Sequence, residues 1–146
     1  MVGERVFLMS IIARELTKAE EAEIIRLKEE GEVMLQTDGT PEERIEKITE
    51  YLKNTSPDPD LAEELGYILG SLYGEAVREK YGWRWLFVSE NDLEGYAITS
   101  KEHGYTFMVH DYFMQVIVQN KPDNSKMLFE LMVDMTGNRN DFRMIG

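Results

Sequence analysis

Three glycines at four-residue spacing, Gly66, Gly70 and Gly74, lie inside a run that otherwise reads as one long helix, Ala62-Glu63-Glu64-Leu65-Gly66-Tyr67-Ile68-Leu69-Gly70-Ser71-Leu72-Tyr73-Gly74-Glu75-Ala76. Each glycine inside a helix costs ~1 kcal/mol relative to alanine. Three in register therefore imply close approach of another backbone along that side. Ala62 extends the small-residue track, and Leu65, Ile68, Leu69, Leu72, Ala76 and Val77 flank it. A helix over 59–80 is thus apolar around much of its circumference, which is the pattern of a central, buried helix. Gly82 stops it, and the aromatic segment Trp83-Arg84-Trp85 follows at once.

Two helices are expected before it. Thr17-Lys18-Ala19-Glu20 is a capping box, in which the Thr17 hydroxyl accepts from the Glu20 amide and the Glu20 carboxylate reaches back. The helix it opens runs over 18–36, with Ile24, Leu27, Gly31, Met34 and Leu35 on one side. Thr40-Pro41-Glu42-Glu43 opens a second, over 41–53, with proline in the first turn, where its missing N–H matters least. Ile45, Ile48 and Leu52 form its stripe, with Tyr51 at the border. Pro57 and Pro59 end it, and Asp58 or Ser56 caps the glycine helix. The opening segment Val6–Ala13 is apolar, with helix and strand both open.

After Gly82 the pattern changes to period two. Trp83–Val88 is expected as a strand with Trp83, Trp85 and Phe87 on one face and Leu86 and Val88 on the other. A turn over 90–95, a strand over 96–99, a turn over 101–104 and a strand over 105–109 complete an antiparallel meander. Asp111 then caps a helix bearing Tyr112, Phe113, Val116 and Ile117, and Ser125 caps a last one bearing Leu128, Phe129, Leu131, Met132 and Met135. The polar tail Gly137-Asn138-Arg139-Asn140-Asp141 follows. The expected fold class is α+β: three N-terminal helices, a three-stranded antiparallel meander packed on the glycine-rich central helix, and two C-terminal helices, in a single domain over 1–146.

The 146 residues contain no cysteine, which excludes disulfides, zinc–thiolate sites and thiol nucleophiles. The net charge of -12 argues against nucleic acid and anionic membrane, whose phosphates need clustered lysine and arginine. The charge is uneven. Residues 1–65 hold 17 acids against 8 bases, and residues 66–146 hold 11 against 8. Solvated helix faces account for such a surplus, and so does steering of a basic partner. The apolar opening is far short of the ~20 residues that span a bilayer. It leads directly into Arg14-Glu15 rather than a small-residue cleavage site, so the expected location is the cytoplasm.

Catalytic motifs are sparse. His103 falls in an expected turn beside Glu102, as a solvated residue. His110 stands beside Asp111 at the end of the third strand, where the pair reads either as an oriented base or as a boundary residue next to a helix cap. No Gly-x-Ser-x-Gly is present, and Ser71 sits mid-helix between glycines. The glycine track lacks the spacing and the loop that a phosphate cradle requires. Glu90, Asp92 and Glu94 alternate in a turn without the twelve-residue calcium pattern. No catalytic, cofactor or metal residue is assigned.

The helix-opening Leu16-Thr17, the glycine at Gly31, Gly39-Thr40 before the second helix, Leu65-Gly66-x3-Gly70-x3-Gly74 and Tyr81-Gly82-Trp83-x-Trp85 together resemble a bacterial family known only as domain of unknown function 3806. The likeness covers about residues 16–134, and the glycine helix leading into Gly-Trp-x-Trp is its most specific part. It departs at Val109-His110-Asp111, where the family pattern has a proline entering the next helix. The resemblance implies an α+β fold and a bacterial origin, with no activity and no site residues. In style the chain also resembles some immunity proteins of polymorphic toxin systems.

The functional expectation is a non-enzymatic cytoplasmic interaction module, possessing no cofactor, that binds another, basic protein in the manner of an immunity protein neutralising a toxin. Its candidate surface is Trp83, Trp85, Tyr96, Tyr105, His110 and Asp111. The alternative is a small-molecule-binding protein or enzyme with a cleft at the end of the third strand, and a homodimer through the free sheet face is the third option.

Overall fold

The structure is a computed structural model that describes residues 11–37, 39–90, 92–100, 104–135 and 143–146. Its α+β architecture has five α-helices and a five-stranded sheet among the described residues. The helices are α1 (Lys18–Leu35), α2 (Pro41–Asn54), α3 (Ala62–Tyr81), α4 (Val109–Ile117) and α5 (Ser125–Leu131). The strands are β1 (Ile11–Glu15), β2 (Arg84–Glu90), β3 (Leu93–Thr99), β4 (Tyr105–Phe107) and β5 (Arg143–Ile145), in spatial order β1-β2-β3-β4-β5. No described helix is long and apolar enough to cross a membrane.

Local chemistry accounts for the helix ends. The Thr17–Glu20 capping box is formed in both directions. Thr40 accepts from the Glu43 amide, with Pro41 in the first turn of α2. Gly82 ends α3 in the left-handed region at φ 74°, a conformation open to glycine because it has no Cβ. Asp58 caps a short 3-10 turn, Pro59–Leu61, which precedes α3. That turn replaces the first part of the single helix expected over 59–80.

The expected three-stranded meander is a five-stranded sheet. The undecided apolar opening supplies β1, which pairs antiparallel with β2. Residues just beyond the expected polar tail supply β5, which pairs parallel with β4. The expected turn over 90–95 is tighter, because Leu93, Glu94 and Gly95 already pair with β2. The third strand stops at Phe107, and α4 begins at Val109 without a side-chain cap. Asp111 therefore lies in the first turn of α4 rather than capping it. Likewise Ser125 is the first residue of α5, with the Asp123 carboxylate accepting from its amide. His103 and the expected tail lie outside the described residues.

Helix α3 is the centre of the fold: Leu69, Leu72, Tyr73, Ala76 and Val77 are fully buried. Ile45 and Ile48 of α2 reach it from one side, and Tyr112, Phe113 and Ile117 of α4 from another. Alternation along the strands points Trp85, Ile98 and Phe107 to the helices. Leu86, Val88 and Ala97 point the other way, into a second apolar cluster with Met108, Ala13 and Met144. Tyr73 edges against Phe107, Phe113 and Phe129, and its hydroxyl donates to the Ser125 carbonyl at 2.8 Å. Buried Arg44 ties α1 to α3 through α2, pairing with Glu32 at 3.1 Å and with Glu79.

The glycine track is filled by two different elements. At Gly66 an added Cβ would meet the Met114 side chain and lie 3.0 Å from the His110 carbonyl oxygen, and at Gly70 it would meet the His110 ring and lie 3.0 Å from the His110 Cα and nitrogen, so side chain and backbone of α4 together occupy those two gaps. At Gly74 the space is taken by the Trp85 ring, with Cη2 only 2.1 Å from an added Cβ. The sheet thus reaches the track at one position rather than along its length.

Gly70→Ala should lower unfolding free energy by roughly 1–3 kcal/mol through overpacking, seen as a lower urea midpoint at unchanged slope. Gly95→Ala, whose new Cβ would meet only Met108 Cε at 3.7 Å, should stay within about 0.5 kcal/mol of the parent. Tyr73→Phe, which leaves the buried Ser125 carbonyl without its donor, should cost about 1–2 kcal/mol in the same measurement.

Candidate functional site

One side of α3 carries Tyr67, Ser71 and Glu75 at four-residue spacing, with Arg78 just beyond, next to the glycine track. His110 enters from the first turn of α4, Trp85 from β2 and Tyr96 from β3. The missing Cβ atoms of Gly70 and Gly74 are what let His110 and Trp85 reach this side chain row.

His110 is boxed by three rings. Trp85 stacks on it with planes 7° apart and centroids at 5.7 Å, Tyr67 leans over it at 4.9 Å, and Tyr96 meets it edge-on at 5.3 Å. Its Nε2 shares a hydrogen bond of 3.0 Å with Ser71 Oγ, while Nδ1 is buried without a partner. Burial disfavours the charged ring and pulls its pKa from 6.5 down to about 3, so the imidazole is neutral at physiological pH. Serine and histidine in contact invite comparison with a nucleophile and its base. Here, however, Ser71 is fully buried, His110 is 3 % exposed, and no acid orients Nδ1. The pair works as packing with one internal hydrogen bond.

Glu75 is the buried acid of the region. Trp85 Nε1 donates to its Oε2 at 2.8 Å, and Arg78 donates from Nε and Nη2 at 2.9 and 3.0 Å. The same Trp85 ring therefore stacks on His110 and anchors Glu75. Beside it opens a groove of about 600 Å³ between α1, the end of α3 and the start of β2, with Glu75, Arg78 and Trp85 in its lining.

Above the box lies an acidic rim. The phenols of Tyr67 and Tyr96 are raised first by burial and then by carboxylates: Glu63 and Glu23 act on Tyr67, Glu23 and Glu20 on Tyr96. Glu20 is matched by Arg14, whose two nitrogens donate to it at 2.9 and 3.0 Å and hold its carboxyl down at about 2. The Arg14 guanidinium also lies 4.5 Å over the Phe87 ring. Exposed Glu23 and Glu63 have no such partner among the described residues.

Of the six residues expected to form one surface, Trp85, Tyr96 and His110 meet in the ring box, whereas Trp83 and Tyr105 lie elsewhere. Trp83 is 4 % exposed in the main core and His110 is sealed in its box. Trp85 and Tyr96 are half-buried beside His110, Tyr105 is half-buried on β4, and Asp111 is half-buried in the first turn of α4. Trp85, Phe87 and Tyr96 lie on the helix-facing side of the sheet, with Ile98. Sequence alone marks Ser71 as a small residue packed between glycines and does not single out Tyr67, Glu75 or Arg78. Glu75 had a signal, a lone acid in an apolar helical run, and its four-residue distance from Ser71 placed both on one side.

Among the described residues no cluster of three or more histidine, aspartate or glutamate side chains could hold a metal ion. Comparison with family models, with curated proteins and with solved structures finds no match.

The folded pKa of His110 lies below the unfolded value of 6.5. Its contribution to stability is therefore complete above pH 6.5 and lost as pH falls from 6.5 toward 3, with a slope of up to ~1.4 kcal/mol per pH unit. Urea melts at pH 7.5, 6 and 5 should show that slope, and His110→Gln should flatten it. In NMR, the His110 imidazole signals should keep neutral shifts down to pH 5.

Proposed function

We propose that this protein is a non-enzymatic interaction module of the cytoplasm that receives a basic protein partner on the acidic, tyrosine-lined rim where α1 and α3 meet the sheet. The observation that carries the reading is Glu23 and Glu63, exposed and without an ion pair among the described residues, beside the half-buried rings of Tyr67 and Tyr96. Several other acids on and around α3 are matched within the chain: Glu42 by Lys80, Glu32 by Arg44 and Lys28, Glu75 by Arg78. Negative charge left over beside aromatic rings offers lysine or arginine both a counter-ion and a π face. An immunity-type protein that neutralises a basic toxin would use this chemistry, with the net charge of -12 steering the encounter.

The rim is also supported from below. His110 props Tyr67 and Tyr96 from beneath in a packed box, so their rings are held before a partner arrives. Preorganised rings lose little freedom on binding.

Capture from the source lysate on the immobilised protein should recover a basic protein whose retention falls as salt rises from about 50 to 500 mM, a range that shortens electrostatic reach to a few ångströms. The double variant Glu23→Gln with Glu63→Gln should retain the parent fold and lose roughly tenfold or more in association rate. Recovery of a metabolite with no protein, or a partner held equally by the double variant, would remove this reading.

A further inference from the structure

Glu75 is an expensive residue to keep. Its side chain is 3 % exposed, in the most buried helix of the protein, and a buried carboxylate is tolerated only with good partners. It has two partners of different character. Trp85 Nε1, fixed by the sheet, donates at 2.8 Å and holds the carboxylate in one orientation. Arg78 supplies the charge through a two-pronged contact, Nε to Oε2 at 2.9 Å and Nη2 to Oε1 at 3.0 Å. That fork is the geometry by which a carboxylate recognises a planar guanidinium.

The tryptophan is part of the fold, whereas the arginine is a cover. Arg78 is 49 % exposed, stands three residues along the same helix, and its side chain makes no other hydrogen bond or ion pair among the described residues. Its outer face is open to water, so the guanidinium can leave toward solvent, and the cost of that exit is the buried carboxylate it leaves without a counter-ion until another cation replaces it. When Arg78 swings into solvent, it uncovers an oriented carboxylate in the lining of the ~600 Å³ groove, within the size range of small-ligand sites. The groove adds apolar walls from Leu16, Ile24 and Trp85, and the Glu15–Arg84 pair, 2.8 Å apart, stands at its edge.

We propose that this groove binds a guanidinium group carried on an apolar stem, with Glu75 as its counter-ion and Arg78 as the internal occupant that the ligand displaces. The inference does not rest on the acidic rim, which lies on other residues. A free guanidino compound and an arginine side chain of a peptide share the chemistry, and the experiment separates them.

Calorimetric titration of agmatine and of an N-acetylated, C-amidated arginine peptide into the wild type, Arg78→Ala, Glu75→Gln and Glu29→Gln reads the site directly. Removing the internal competitor should tighten agmatine binding about tenfold in Arg78→Ala, since occupancy by Arg78 lowers the competent fraction. Agmatine should also raise the melting temperature of Arg78→Ala more than that of the wild type. Binding should vanish in Glu75→Gln and be unchanged in Glu29→Gln, which removes the same charge from an exposed site on α1. Binding of agmatine identifies a free compound as sufficient, and binding of the peptide alone identifies a protein side chain. Weaker or unchanged binding in Arg78→Ala, equal losses in both glutamate variants, or no binding of either probe at millimolar concentration overturns the proposal. Should Glu75→Gln fail to fold, the comparison of Arg78→Ala with wild type decides alone.

Discussion

The absence of three Cβ atoms along one side of α3 is the constraint from which the rest of this structure follows. At Gly66 and Gly70 it admits the backbone of α4 to within about van der Waals contact, and at Gly74 it admits an indole ring. Methyl groups at those positions would push α4 and β2 outward together. His110 would then leave its box, Trp85 would lose Glu75, and the apolar surface of α3 would be left partly uncovered. The helical cost of ~1 kcal/mol per glycine is offset by burial that reaches every face of α3, with Tyr73, Leu69 and Val77 fully enclosed.

From that contact follows a division of polar groups in the interior. A neutral imidazole, a serine hydroxyl and an indole N–H are cheap to bury if each finds one partner, and Ser71–His110 and Trp85–Glu75 supply those pairs. The one charge drawn into this region, Glu75, lies where the groove lets a guanidinium reach it from solvent. The hydrogen-bonded serine–histidine pair illustrates why adjacency is insufficient for catalysis: a nucleophile needs room for substrate, and the rings of Tyr67, Trp85 and Tyr96 enclose its base.

Elements stabilised by local chemistry were legible in the chain. The Thr17 and Thr40 caps, Pro41 in the first turn of α2 and the stop at Gly82 rest on hydrogen bonds and dihedral preferences within a few residues. The sheet was legible only where it closes on itself through short turns. Strand β5 is three residues long and lies in a parallel pair, so its partner comes from a distant part of the chain and no local pattern announces it. The start of α4 was misplaced because Asp111 looks like a cap, whereas the close fit of His110 to Gly70 requires helix already at Val109. The candidate site suffered most. Aromatic residues at period two mark a strand face, yet nothing local distinguishes a face turned to solvent from one turned to a helix.

By itself the sequence determined the α+β class, the helix boundaries set by caps and glycine, the central position of the glycine helix, and the acidic net charge. These depend on composition and on interactions between near neighbours. Only the tertiary structure decided what fills the glycine track, that His110 is buried and neutral, that Trp85 serves two partners at once, and that Glu75 and Arg78 share a groove. Each of those depends on residues far apart in sequence meeting at distances of a few ångströms. A gap left by a missing Cβ specifies only that something must come close, and the packing of the whole chain selects which residue does.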